Sequence, residues 1–107
     1  MIIVGIAACT AGIAHTYIAR EKLVNAAQEA GHTIHIETQG TIGPQDIIPQ
    51  ELIEQADVVI IAADINVSGK DRFKGLPIIE VPTTVVIKSP NKFIEKVEEI
   101  VRQRGEK

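Results

Sequence analysis

Two continuous apolar runs constrain this chain more than any other feature: Ile2-Ile-Val-Gly-Ile-Ala-Ala8, and the stretch Asp57-Val-Val-Ile-Ile-Ala-Ala-Asp64. Neither alternates polar with apolar, and each stops where polar or glycine-bearing sequence begins. That is the pattern of a strand buried on both faces. Between them, from about Ala14 to Ala30, Ala19, Leu23, Ala26 and Ala30 recur at helical spacing, with Arg20, Glu21, Asn25 and Glu29 on the other side and Gly31 as the stop. Buried strands alternating with amphipathic helices are the signature of a sheet that needs helices on both sides.

The remaining segments extend the pattern. His32 to Thr38 reads as a second strand, since Ile34 and Ile36 alternate with polar neighbours as on an edge with one covered face. Gln39 to Pro44 reads as a loop, and Pro49 opens a short helix across Gln50 to Gln55. A polar loop from Asp64 to Gly75 precedes a fourth strand, Leu76 to Val81, which Pro82 ends. A last helix from about Pro90 to Arg104 buries Phe93, Val97, Ile100 and Val101 and shows Glu95, Lys96, Glu98 and Glu99 to water. The expected fold is a small doubly wound, Rossmann-like α/β domain spanning residues 1–107, with a four-stranded parallel sheet in the order 2-1-3-4. Ligands of such sheets gather at the carboxyl ends of the strands, beside the switch between the first and third. That edge carries Cys9, the loop after Thr38, and Asp64.

Composition removes several functions. With a formal net charge of -3 and eleven Lys and Arg residues spread without a run, nothing recruits nucleic acid. Tyr17, Phe73 and Phe93 are the only aromatics, too few for a base-stacking surface. A single cysteine forms no internal disulfide and no multi-cysteine metal site, so no metal and no cofactor is expected, and the cytoplasm is the default compartment. Ile6-Ala7-Ala8-Cys9 has the look of a lipoprotein cleavage box. Only eight residues precede the cysteine, however, and none is basic, which argues against a secretory segment. No stretch is long enough to insert in a membrane.

The loop after the first strand, Cys9-Thr10-Ala11-Gly12-Ile13-Ala14-His15-Thr16, leaves a buried strand and enters a helix. Such a turn aims successive backbone N–H groups at one point, where the helix adds partial positive charge, and the nest so formed suits a phosphate dianion. Gly12 fits such a loop, where at least one residue commonly needs a positive φ, and Thr16 can donate its hydroxyl to the anion or the sulfur. The same donors favour thiolate over thiol, so Cys9 is the expected nucleophile and residues 10–16 the phosphate-binding set. Neither a nucleotide P-loop nor a dinucleotide fingerprint is present. Cys-x5-His followed by Thr stands beside the Cys-x5-Arg-Ser/Thr loop of tyrosine phosphatases. There the Arg grips equatorial oxygens and drives hydrolysis, whereas His15 offers one donor and partial charge. A phosphocysteine hydrolase like the low-mass tyrosine phosphatases is therefore the alternative, and a carrier that holds the group for an acceptor is the leading reading.

Several motifs together resemble a known family. Cys9-Thr-Ala-Gly-Ile-Ala-His-Thr-Tyr17, Glu37-Thr-Gln-Gly40, Ile42-Gly43, Ala63-Asp64-Ile65 and Arg72-Phe73 match, in order and over most of the chain, the fructose-type IIB components of the bacterial phosphoenolpyruvate-dependent sugar phosphotransferase system (PTS). The resemblance implies that Cys9 accepts phosphate from a phosphohistidine on a IIA partner and passes it to a fructose-like sugar held by a membrane IIC partner during uptake. It also implies a cytoplasmic protein held at the inner face of the membrane through IIC. Family loops often read Cys-Pro-Thr-Gly or Cys-Pro-Ser-Gly, whereas this one reads Cys-Thr-Ala-Gly. Many relatives are fused to IIA or IIC domains; the start at Met1 and the charged tail favour a free-standing subunit. At the same edge Gln39, Asp64 and Arg72 are candidates for orienting the loop or touching a partner. His32 and His35 lie near the start of the second strand and receive no role.

Overall fold

The computed structural model describes residues 1–9, 13–40 and 43–105, with the side chains of residues 13–15 and 104 outside that description. In chain order its elements are β1 (Ile2–Ala8), α1 (Ile13–Glu29), β2 (Thr33–Gly40), β3 (Gly43–Gln45), α2 (Gln50–Gln55), β4 (Val58–Ala63), a 3-10 turn (Lys70–Phe73), β5 (Ile78–Val81), α3 (Thr83–Lys88) and α4 (Pro90–Gly105). The sheet order is β3-β2-β1-β4-β5. β1 pairs in parallel with β2 and β4, and β4 pairs in parallel with β5. These four strands stand in the order anticipated from the sequence.

The fifth strand corrects the expected count. β2 runs to Gly40 and folds back through β3, which pairs antiparallel with Thr38, Gln39 and Gly40. Three residues carry too little pattern to reveal a strand, and Pro44 reads as a turn former. Here Pro44 sits on the sheet's outer strand, where a missing N–H is tolerated. β2 is therefore no bare edge: Glu37, Thr38 and Gln39 are all buried. α3 is a second addition, placed between Pro82 and Pro90.

The two continuous apolar runs are explained by cover on both faces. Ile3 and Ala7 of β1, with Val58, Ile60 and Ala62 of β4, pack under α1, α3 and α4, meeting Ala19, Leu23, Val86, Ile94 and Val97. Val4, Ile6, Val59 and Ile61 point the other way, onto Ile48, Ile53 and Phe73. Of the stripe expected on α4, Phe93 and Val97 are buried, Ile100 and Val101 are half-buried, and Ile94 is buried beside them. No helix among the described residues is long and apolar enough to cross a membrane. At the far end of the sheet from Cys9, Asp57 accepts the Ile2 N–H at 2.8 Å, and His32 bridges the amino terminus and Glu98.

Gly5 sits at the middle of the central strand for a steric reason. A Cβ there would lie 2.2 Å from the Ile60 carbonyl oxygen and 3.0 Å from Ile36 Cδ1. The first clash is with backbone of a paired strand that cannot retreat without breaking the ladder. Gly5→Ala is expected to cost about 2–3 kcal/mol of stability, in the upper range for overpacking. Urea denaturation with an unchanged m-value checks this.

Candidate active site

The register fixes what stands at the carboxyl edge. Ala8 lies opposite Gln39 on one side and Ala63 on the other, so Cys9 and Asp64 are the next residues of two adjacent parallel strands. The Asp64 N–H extends the ladder by donating to the Ala8 carbonyl at 3.0 Å. This brings the side chains together: the Cys9 thiol donates to Asp64 Oδ2 at 3.1 Å. Asp64 also accepts from Thr83, whose hydroxyl donates to Oδ2 at 2.6 Å and whose backbone N–H donates to Oδ1 at 3.1 Å. Thr83 heads α3 and is fully buried. Asp64 thus joins the end of β4 to the start of α3 while holding the cysteine sulfur. Cys9 is 6% exposed.

A second carboxylate organises the neighbouring loop. Glu37 is 1% exposed and receives both arms of Arg72, Nη1 at 2.7 Å to Oε1 and Nη2 at 2.8 Å to Oε2. Gln39 Nε2 donates to Oε2 at 2.9 Å, and the Ile48 N–H donates to Oε1 at 3.2 Å. Burial would push this carboxyl up. Arg72, Gln39 and the Ile48 N–H outweigh it and hold the group below the ordinary glutamate value. Gln39 in turn clamps Ser68, donating to its carbonyl and accepting from its N–H, both at 2.9 Å. Arg72 Nε donates to the Gly69 carbonyl at 2.8 Å, and its guanidinium stacks 4.9 Å from the centroid of buried Phe73. Gly69 has φ 80°, and a Cβ there would stand 3.0 Å from Arg72 Nε. The loop that follows Asp64 is tied to β2 throughout.

Of the residues singled out from sequence, Cys9 and Asp64 meet directly, whereas Gln39 and Arg72 meet through Glu37. Arg72, a candidate for orienting the loop or touching a partner, spends its fork on Glu37. Thr16 is buried in the first turns of α1. Thr10, Ala11 and Gly12, and the side chains of Ile13, Ala14 and His15, lie outside the described residues, as does Ile42. Thr83, Glu37 and Ser68 are the residues that sequence reading left without roles. For Thr83 a signal existed in the Pro82-Thr83 step closing the last strand, an ordinary start for a helix. On the outer side of α1, Arg20 pairs with Asp46 at 3.1 Å and Tyr17 hydrogen-bonds Gln45, while His35 Nε2 meets the Asp46 carbonyl, so β3 and its flank are fastened too. No cluster among the described residues could hold a metal ion.

Comparison with known proteins adds the family. The model for the family described as the PTS system, lactose/cellobiose-specific IIB subunit, matches residues 4–96. A PTS fructose-like EIIB component 2 of Escherichia coli K12 is 36% identical over 96 residues, covering 90% of this chain and 91% of the relative. The fructose-specific EIIABC component of Bacillus subtilis is 40% identical over 94 residues, covering 88% of this chain but 15% of that longer protein. Among solved structures, a PTS enzyme IIB subunit from Escherichia coli K12 is 30% identical with a TM-score of 0.88, covering 96% of this chain and 95% of the other.

Removing Arg72 leaves Glu37 as a buried unpaired charge, so Arg72→Ala should lose about 3–5 kcal/mol of stability near neutral pH. Because the folded carboxyl lies below its unfolded value, the stability it contributes is fully present above about pH 5 and is lost as pH falls through the folded pKa. Glu37→Gln should flatten that acid slope. Denaturant unfolding of the wild type and both variants, repeated from pH 7 down to pH 3, checks both statements.

Proposed function

The chain belongs to the PTS IIB family, whose members are phosphoryl-transfer subunits of sugar uptake, and on that premise we propose that Cys9 carries the phosphoryl group. In this reading residues 1–107 act as one IIB unit. Cys9 accepts the group from a phosphohistidine on a IIA partner and passes it to a fructose-like sugar bound by a membrane IIC partner. The protein then works in the cytoplasm, at the inner face of the membrane, through its contact with IIC.

The observation that carries the reading is the position of the cysteine. It directly follows β1, the central strand with a parallel neighbour on each side, at the carboxyl edge and one loop ahead of a 17-residue helix. A phosphoryl group on sulfur there would meet the amino-terminal N–H groups and positive dipole end of α1 without needing a metal. The buried Thr16 adds a hydroxyl in the same turn. Relatives that carry A, B and C parts in one chain support a relay between the three. Tyr17, Ile18 and Ile65 follow the two edge loops and are exposed, which suits a surface that two partners occupy in turn. The fructose-like acceptor is taken from the relatives' names.

Incubation with a phosphohistidine IIA protein is expected to add one phosphoryl group per chain, detected as a mass increase that is absent in Cys9→Ser. The adduct should persist until a sugar and its permease are supplied. Phosphorylation of Cys9→Ser to the wild-type level would refute the assignment. Sustained release of inorganic phosphate from an aryl ester would favour the hydrolase instead.

A further inference from the structure

We propose that Asp64 is itself catalytic: it takes the proton of the Cys9 thiol as sulfur attacks the donor phosphoryl group, and then faces the phosphocysteine as a neutral hydrogen-bond donor. The inference rests on the carrier reading and adds to it the group that handles the proton. Its starting point is the contact at the reacting atom, the thiol donating to Asp64 Oδ2 at 3.1 Å. Sulfur and carboxylate oxygen already stand at the separation a proton transfer between them needs.

The acceptor is held in place by the fold. The Asp64 backbone is fixed by the bond from its N–H to Ala8, and its carboxylate by the two donors of Thr83, one on each oxygen. Thr83 is fully buried, so the carboxylate has a rigid seat while the residue as a whole remains in contact with solvent. A base preset against a nucleophile in this way saves the cost of orienting it during the reaction.

The step balances without a further reactant. With a donor phosphohistidine protonated on its other ring nitrogen, the S–P bond forms and the P–N bond breaks. The bonding pair returns to the imidazole, which leaves neutral, and the thiol proton moves to Asp64 Oδ2. The total charge of the reacting groups is unchanged, and the negative charge of the carboxylate disappears as the phosphocysteine dianion appears beside it. An ionised Asp64 would repel that dianion at short range; a protonated one can donate to it. One carboxylate so serves both as proton acceptor during attack and as support for the product.

Single-turnover phosphorylation of the full chain by a phosphohistidine IIA protein tests this. Asp64→Asn should lower the transfer rate constant by about 10²–10⁴-fold, the range for loss of a general base, with little change in the donor concentration giving half-maximal rate. Asp64→Glu should recover part of the rate. Thr83→Ala, which disturbs the same cap but keeps the carboxylate, should lose about tenfold or less. The S–H stretching band of the resting protein should sit at the position of a hydrogen-bonded thiol and move to higher frequency in Asp64→Ala, which checks the contact through which the proton would pass. Wild-type transfer by Asp64→Asn, equal losses in Asp64→Asn and Thr83→Ala, or a free-thiol band in the wild type would each overturn the proposal. A wild-type chain that takes up no phosphoryl group would instead overturn the carrier reading beneath it.

Discussion

The buried Glu37 carboxylate is the constraint on which the rest of the carboxyl edge depends. A charge in an apolar interior is tolerated only when every lone pair is met, and each donor that meets this one comes from a different part of the chain. Arg72 arrives on the 3-10 turn, Gln39 from the end of β2, and the Ile48 N–H from the segment leading into α2. No one of these segments can shift without exposing a partner's unpaired charge. The interaction adds little to stability compared with an apolar replacement of the same volume. Its effect is to forbid alternative arrangements of three loops.

Order passes from that clamp toward the cysteine by short steps. Gln39 grips Ser68, four positions after Asp64, and Arg72 grips the Gly69 carbonyl beside it. The loop leaving β4 is therefore anchored at both ends, by the ladder bond from Asp64 to Ala8 and by the β2 network. Thr83 adds a third anchor from α3, so the carboxylate facing Cys9 is positioned by β1, β4 and α3 together. The sheet supplies the edge, and polar side chains give it a fixed shape.

Much of this was legible in the sequence, for physical reasons that also mark where legibility ended. β1 and β4 announced themselves because cover on both faces forces unbroken apolar runs, and their parallel pairing placed Cys9 and Asp64 side by side. β3 could not be read, since three residues containing Pro44 carry turn chemistry and no period. α3 was hidden by its own composition: Thr83, Thr84, Val85, Val86 and Ile87 are β-branched and disfavour helix, and it is the burial of Val86 among α1 and α4 side chains that overrides propensity. The α4 stripe was read in part: Phe93 and Val97 are buried as expected, Ile100 and Val101 are half-buried, and Ile94 joins the buried side because packing chooses among residues that fit a helical period. Glu37 belonged to a recognised motif, yet its burial depends on an arginine 35 positions away, a pairing no local pattern encodes.

The two carboxylates at this edge differ in a way that bears on chemistry. Glu37 faces a guanidinium that bonds both of its oxygens, and that cation helps hold its pKa below the ordinary glutamate value. It can hold a loop, and it is a poor proton acceptor for the same reason. Asp64 accepts hydrogen bonds from the Thr83 hydroxyl, the Thr83 backbone N–H and the Cys9 thiol, each of them a neutral donor. The thiol alone among these donors is also a nucleophile. A protein that locks one carboxylate with a cation under its loop and sets another against its cysteine divides rigidity and reactivity between them. The two roles are not interchangeable, since a carboxylate gripped on both oxygens by a guanidinium resists taking up a proton, and Glu37 without its cation would be a buried charge left uncompensated.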